Sequence, residues 1–203
     1  MHRDGGETRN ELVMVWKNMQ VTEKETERIL QLARECLKVP GDFVEMGCYE
    51  GDTSLLLAEL LVENYVEKSV KKLWIYDSFE GLPEKSVSDE SMTGENFKRG
   101  ALAVTKRAVK ERFLHANLPV PVIKKAWFSE LTPDDLPERI AFAFLDGDFY
   151  ESIRDSLKLV VPKMSEGGIM MVHDYTNSAL PGVKKAVDEW KTGGKHNFEV
   201  VLL

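Results

Sequence analysis

The sequence predicts an open α/β fold, a doubly wound and mostly parallel sheet, on three observations. Short apolar runs (DFVEM, KLWIYD, IAFAFL, GGIMMV) alternate with longer stretches of helical period. Glycine or proline punctuates many of the junctions, as in Pro40-Gly41, Pro162 and Gly167-Gly168. Polar groups stand at the carboxyl ends of four strands: Glu45-Met46-Gly47, Asp77, Asp146 and His173-Asp174. Strand–helix alternation implies parallel pairing through right-handed crossovers, and such sheets bind ligands at the carboxyl ends of their strands.

Taken in order, residues 22–38 place Ile29, Leu30, Leu32, Ala33 and Leu37 on one helical face, with Thr22 and Glu25 spaced as a capping box. DFVEMG is the first strand, CYEGD a turn, and residues 53–68 a helix. KLWIYD is the second strand, followed by the loop SFEGLPEK. Residues 84–97 are open to two readings, a lid over a ligand or a plain surface loop. Residues 97–117 read as a charged helix whose Lys98, Arg99, Lys106, Arg107, Lys110 and Arg112 are solvated. Residues 121–124 and 140–145 are the third and fourth strands, and 150–161 is a helix. GGIMMVHD carries the fifth strand, 181–191 a helix, and NFEVVLL the sixth strand. Upstream, Leu12, Val13, Met14 and Trp16 suggest a segment that docks on the core. Residues 1–38 thus form an N-terminal helical segment of a single domain spanning 1–203.

With 203 residues, 43% hydrophobic and 30% charged, the chain has the balance of one folded domain. A net charge of −7 disfavours nucleic acid or an anionic membrane as the main partner. Cys36 and Cys48 form neither a disulfide framework nor a zinc spacing, so a reducing cytoplasm is expected. MHRDGGETRN lacks the apolar stretch of a signal peptide, and no run has the length of a membrane span.

The first loop, Gly47-Cys48-Tyr49-Glu50-Gly51, spaces its glycines G-x-x-x-G. A dinucleotide fingerprint needs G-x-G-x-x-G so that backbone can approach a pyrophosphate. Here Tyr49 replaces the middle glycine and Glu50 adds negative charge. The loop therefore suits a ligand without phosphate, and S-adenosylmethionine fits: it carries a sulfonium, an ammonium and a carboxylate. Glu45 and Glu50 favour the cation, and backbone N–H groups with Thr53 or Ser54 hold the carboxylate. Asp77 stands where an acid accepts from ribose hydroxyls.

These segments also carry a resemblance. VPGDFVEMGCYEGDTS (39–54), YDSFEGLP (76–83), AWFSEL (126–131), LDGDFYES (145–152), LVVPKMSEGGIMMVHDY (159–175) and PGVKKAVDEW (181–190) resemble the macrocin O-methyltransferase family, which methylates sugar hydroxyls of natural products. The likeness runs from about Val39 to Trp190. It implies a Rossmann-like class I methyltransferase fold and a small-molecule hydroxyl acceptor. It implies that Met46, Gly47, Cys48 and Gly51 line the methionine part of the cofactor. Asp77 would bind the ribose, Ser78 and Phe79 would lie beside the adenosine, and Ala126, Trp127 and Phe128 would edge the adenine. It further implies a magnesium ion on Asp146, His173 and Asp174, between cofactor and acceptor.

Two departures stand out. The family reads Asp-Asp-Tyr where this chain has His173-Asp174-Tyr175. Magnesium prefers oxygen ligands and imidazole suits later metals, which leaves manganese or iron open, and leaves His173 open as ligand or base. The fold also commonly ends in an antiparallel hairpin, which is not found after NFEVVLL; a partner chain, as in a homodimer, or an open edge are the alternatives. In-line methyl transfer needs a base for the hydroxyl proton, and the candidates are Asp148 and His173. Asp148 has a second reading as the N-cap of the helix at Tyr150. Two other functions stay open: a non-catalytic S-adenosylmethionine-binding protein, through His173, and an NAD-linked enzyme, which the glycine spacing disfavours.

Overall fold

Six strands form one sheet in the order β3-β2-β1-β4-β5-β6, and every pairing is parallel. The computed structural model describes residues 20–64, 71–193 and 196–203. The strands are β1 (Asp42–Met46), β2 (Leu73–Asp77), β3 (Val122–Lys125), β4 (Ile140–Leu145), β5 (Met164–Val172) and β6 (Glu199–Leu202). Among the described residues the α-helices are α1 (Glu23–Glu35), α2 (Asp52–Glu63), α3 (Lys106–His115), α4 (Tyr150–Val160) and α5 (Pro181–Lys191). Leu12, Val13, Met14, Trp16 and the expected end of the second helix at 65–68 lie outside the described residues.

The sheet is buried on both faces, as parallel sheets require. Val44, Met46, Ala143 and Leu145 pack with Ile153 and Leu157 of α4 and Val183 of α5. Phe43, Phe142 and Phe144 join Ile29 and Leu32 of α1, Leu57 of α2 and Phe113 of α3 on the other face. β4 is fully buried along its length, so its continuous apolar run reads correctly as a central strand.

The capping box forms as the sequence predicts. The Thr22 hydroxyl receives the Glu25 amide, and the Glu25 carboxylate receives the Thr22 amide. Residues 36–38 complete this segment as a 3-10 turn.

Three expectations are corrected. The charged helix starts at Lys106 instead of residue 97, because Thr105 caps it and Gly100 and Leu102 take positive φ just before it. Residues 98–102 instead turn back on Leu82, which exchanges hydrogen bonds with Gly100 and Ala101. Arg112 is not a solvated charge: its guanidinium pairs with Asp52 and donates to the Glu50 carbonyl, bracing the loop after β1. β5 begins at Met164, ahead of the glycine pair, with a register irregularity against β4 before Ile169.

Segment 84–97 is tied down at its middle. Asp89 is 1% exposed, and its carboxylate accepts from the Ser86 amide and hydroxyl and from the Tyr150 amide at the start of α4. Ser91 also donates to the Ser178 carbonyl, and Lys185 of α5 to the Ser88 hydroxyl. Pro83, just before it, and Phe97, at its end, line the main cleft.

Candidate active site

A cleft of about 390 Å³ opens at the carboxyl ends of β1, β2, β4 and β5, within the size range of small-ligand sites. Its first wall is the turn after β1. Gly47 takes φ +92, and a Cβ there would overlap the Asp146 carbonyl, so only glycine lets the β1 and β4 loops meet. Asp77 fixes this turn. One of its carboxylate oxygens accepts from the Cys48 and Tyr49 amides at 2.9 and 3.3 Å, the other from the Phe79 amide at 2.7 Å. Three of its roughly four acceptor positions are thus used by backbone.

Of the residues expected at a cofactor, Glu45, Gly47, Cys48, Thr53, Asp77, Ser78, Ala126, Trp127, Phe128 and Asp146 line the cleft. Met46, Gly51, Ser54 and Phe79 do not. Met46 is in the core on the α4–α5 face, and Phe79 packs in the core on the opposite face. Gly51 is the left-handed residue that starts α2. Ser54 is buried beneath the cleft and donates its hydroxyl to Glu45. Burial pushes the Glu45 carboxyl up to about 8 despite that bond, with Asp146 and Asp77 adding to the rise. Glu45 is therefore largely neutral near pH 7, and does not supply the fixed negative charge expected of it.

The second wall carries the acids. Asp146 follows β4, and His173 and Asp174 follow β5, on adjacent strands. His173 Nδ1 lies 3.0 Å from an oxygen of Asp146 and 3.0 Å from one of Asp174. One ligand atom from each of the three residues falls within 4.8 Å of the others. Burial alone would lower the His173 pKa, but Asp146 and Asp174 outweigh it and hold the imidazolium up to about 11. Burial likewise raises Asp174, and the bond to His173 reverses the sign, leaving it below its ordinary value. Asn177 donates to the other oxygen of Asp174 at 2.8 Å. The Asp-x-x-Asn spacing after β5 was the local signal for that contact, and the sequence reading passed over it.

Asp148 also lines the cleft, at φ +58, a conformation Asp tolerates better than most residues. It is not the helix N-cap: that position is Phe149, just before α4, and the capping carboxylate is that of Asp89, from a distant segment. Burial pushes the Asp148 carboxyl well above its ordinary range, and the neighbouring Asp146 and Asp174 add to the shift.

Sequence reasoning did not place Gln20, Val21, Leu102, Ser152 and Asn177 at the cleft, yet all line it, as does Phe97 at the end of segment 84–97. Leu102 was hidden by the helix expected there. Among the described lining residues there is no Lys or Arg, against the carboxyls of Glu45, Glu50, Asp52, Asp77, Asp146, Asp148 and Asp174. A pyrophosphate would find no Lys or Arg among the described lining residues, and the His173 imidazolium is already shared by Asp146 and Asp174, which adds to the case against a dinucleotide.

Comparison with known proteins supplies the affiliation. The family model described as macrocin O-methyltransferase matches residues 12–200. The chain belongs to the macrocin O-methyltransferase family. It is 31% identical over 158 residues to the 8-demethyl-8-(2,3-dimethoxy-alpha-L-rhamnosyl)-tetracenomycin-C 4'-O-methyltransferase of Streptomyces olivaceus, covering 75% of this chain and 59% of that protein. It is 31% identical over 175 residues to the demethyldecarbamoylnovobiocin O-methyltransferase of Streptomyces niveus, covering 80% and 64%. The chain thus spans about three fifths of the length of these curated relatives. The solved structure of the O-methyltransferase NovP superposes with a TM-score of 0.75 at 29% identity, over 86% of this chain and 74% of that one. This macrocin O-methyltransferase family member therefore has a class I methyltransferase sheet. Among its described residues, no helix is long and apolar enough to cross a membrane.

Proposed function

We propose that this chain is an S-adenosylmethionine-dependent O-methyltransferase acting on a hydroxyl of a natural-product sugar or related small molecule, assisted by a divalent ion. The observation that carries this reading is the meeting of Asp146, His173 and Asp174 in the same cleft as the β1 turn and Asp77. The relatives named above carry O-methyltransferase names, which supports the same reaction class.

The donor set fits a metal. Two carboxylates and one imidazole nitrogen converge from adjacent strands, and this mixture suits manganese or ferrous iron as well as magnesium. Bound there, the ion supplies a Lewis acid that lowers the acceptor's pKa and fixes its approach. The lining fits the cofactor too: it is acidic, free of Lys and Arg among the described residues, and has Ala126, Trp127 and Phe128 as an apolar edge. S-adenosylmethionine supplies the electrophilic methyl group.

Within that arrangement, His173 serves as a ligand through Nδ1, since that nitrogen faces both carboxylates. Asp148 is then the base. It stands at the cleft wall, two residues after Asp146. Asp77 would hold the ribose and the β1 turn the methionine part of the cofactor, which orients it for transfer to the acceptor.

A second reading has its own observation. The imidazolium of His173 satisfies Asp146 and Asp174 by itself, an arrangement compatible with a metal-free protein that binds the cofactor without catalysis. Two measurements decide. S-adenosylhomocysteine, but not NAD, should raise the melting temperature; stabilisation by NAD alone would sink the methyltransferase reading. Methyl transfer to a panel of glycoside hydroxyls should stop with EDTA and return with added manganese or magnesium. Turnover indifferent to EDTA removes the ion from the mechanism, and tight cofactor binding with no turnover on any acceptor favours the second reading.

A further inference from the structure

We infer that Glu25, at the amino end of α1, is the positioning residue for the His173 imidazole, which makes the N-terminal helix part of the metal centre; this rests on the metal reading above. His173 presents its two ring nitrogens to carboxylates on opposite sides. Nδ1 faces Asp146 and Asp174, and Nε2 lies 3.9 Å from Glu25 Oε1. The ring is closely held: its side chain is 9% exposed and packs against Phe144 with ring centroids 5.8 Å apart.

Glu25 is held just as firmly, from the other end. Its Oε2 receives the Thr22 amide at 2.9 Å and the Thr22 hydroxyl at 2.6 Å. Capping therefore occupies one carboxylate oxygen and aims the second at His173. Glutamine serves a capping box as well as glutamate does, so the cap by itself does not call for a charge at this position. When Nδ1 is a metal ligand, the remaining ring proton sits on Nε2, and a carboxylate facing that N–H fixes the tautomer and strengthens the ligand. At 3.9 Å the contact is electrostatic and longer than a hydrogen bond, but it is directed at the one ring atom the two aspartates leave free.

The consequence is a site assembled from both ends of the chain. The strands supply the ligands and α1 supplies the charge that turns one of them to face the ion. The test uses manganese(II) affinity of the full chain, measured by titration calorimetry or by the free-ion electron paramagnetic resonance signal. Glu25→Gln should weaken manganese binding about 10-fold or more while leaving S-adenosylhomocysteine affinity without metal unchanged. Thr22→Ala, which removes the cap hydroxyl but keeps the carboxylate, should lower the melting temperature yet weaken manganese less than Glu25→Gln. Equal manganese affinity in wild type and Glu25→Gln overturns the inference. No manganese binding by wild type instead overturns the metal reading on which it rests. A spectroscopic arm stands apart from any variant's folding: in the zinc-loaded wild type, the ¹⁵N shifts of His173 should show the proton on Nε2. A proton on Nδ1, with Nε2 bound to the metal, overturns the inference.

Discussion

The two walls of the cleft are built by different means. On the β1–β2 side, backbone does the shaping: Gly47 allows a close approach and Asp77 gathers three amides. On the β4–β5 side, side chains do it: Asp146, His173 and Asp174 face one another across adjacent strands. The first wall presents shape and one partly used carboxylate, and the second presents convergent charge. The backbone-made wall should be sensitive to sterics and to loss of its one carboxylate, and the side-chain-made wall to loss of any of its convergent charges.

The largest effect should come from the charged wall. Asp146→Asn is expected to reduce metal-dependent methyl transfer by about 10³-fold or more, with a melt that stays cooperative; an unchanged rate would refute Asp146 as a ligand. Next, Asp77→Asn should weaken S-adenosylhomocysteine binding by roughly 10- to 100-fold, because charge-assisted acceptors are about twice as strong as neutral ones. Manganese affinity should be unmoved. Loss of both in either variant would mean that the two walls are one unit and the contrast is mistaken.

Glu45 lies between the walls and offers a smaller, pH-dependent effect. Its folded pKa of about 8 exceeds the ordinary value of 4.5. The native state therefore binds more protons than the unfolded chain between those values, and stability falls as pH rises through that window. Glu45→Gln removes the titrating group and should abolish this slope. Its advantage over wild type should grow from pH 4.5 to about 8, to a few kcal/mol, and level off above. Denaturant melts across that range test it; a constant offset between the two proteins would reject it. The smallest effect belongs to Asp89→Ala, which uncaps α4 and should cost about 1–2 kcal/mol, read by the same melts, with cofactor affinity nearly intact.

How much of this was legible in the sequence follows from the range of the interactions. The order of strands and helices, the Thr22–Glu25 capping box and the acids after β4 and β5 are encoded within a few residues of themselves, and they appear as expected. Convergence of Asp146 with His173-Asp174 was readable because strands joined by one helix pair side by side. The contacts that were missed cross the sequence. Asp89 caps a helix 61 positions away, and nothing in SVSDES distinguishes that acid from a solvated one. Glu25 reads as a cap because it is one; its second oxygen finds His173 only in three dimensions. The charge on Arg112 was misread for the same reason, since its partners Glu50 and Asp52 lie on another helix and turn. The error at 97–105 differs: Gly100 and Thr105 were local signals, and helical charge patterning was allowed to override them.

One of these long contacts binds two positions of the chain to a shared fate. A side-chain carbon on Gly182 would occupy the space that the Asp89 carboxylate fills. The acid and the missing side chain are a lock and its keyhole. Substitutions at the two positions should therefore arrive together: a chain that acquires any side chain at 182 must give up the acid at 89, find another cap for the helix behind Asp148, or move that helix. Correlated change at these two sites would then mark which relatives keep segment 84–97 fastened to the start of α4, and which have let it go.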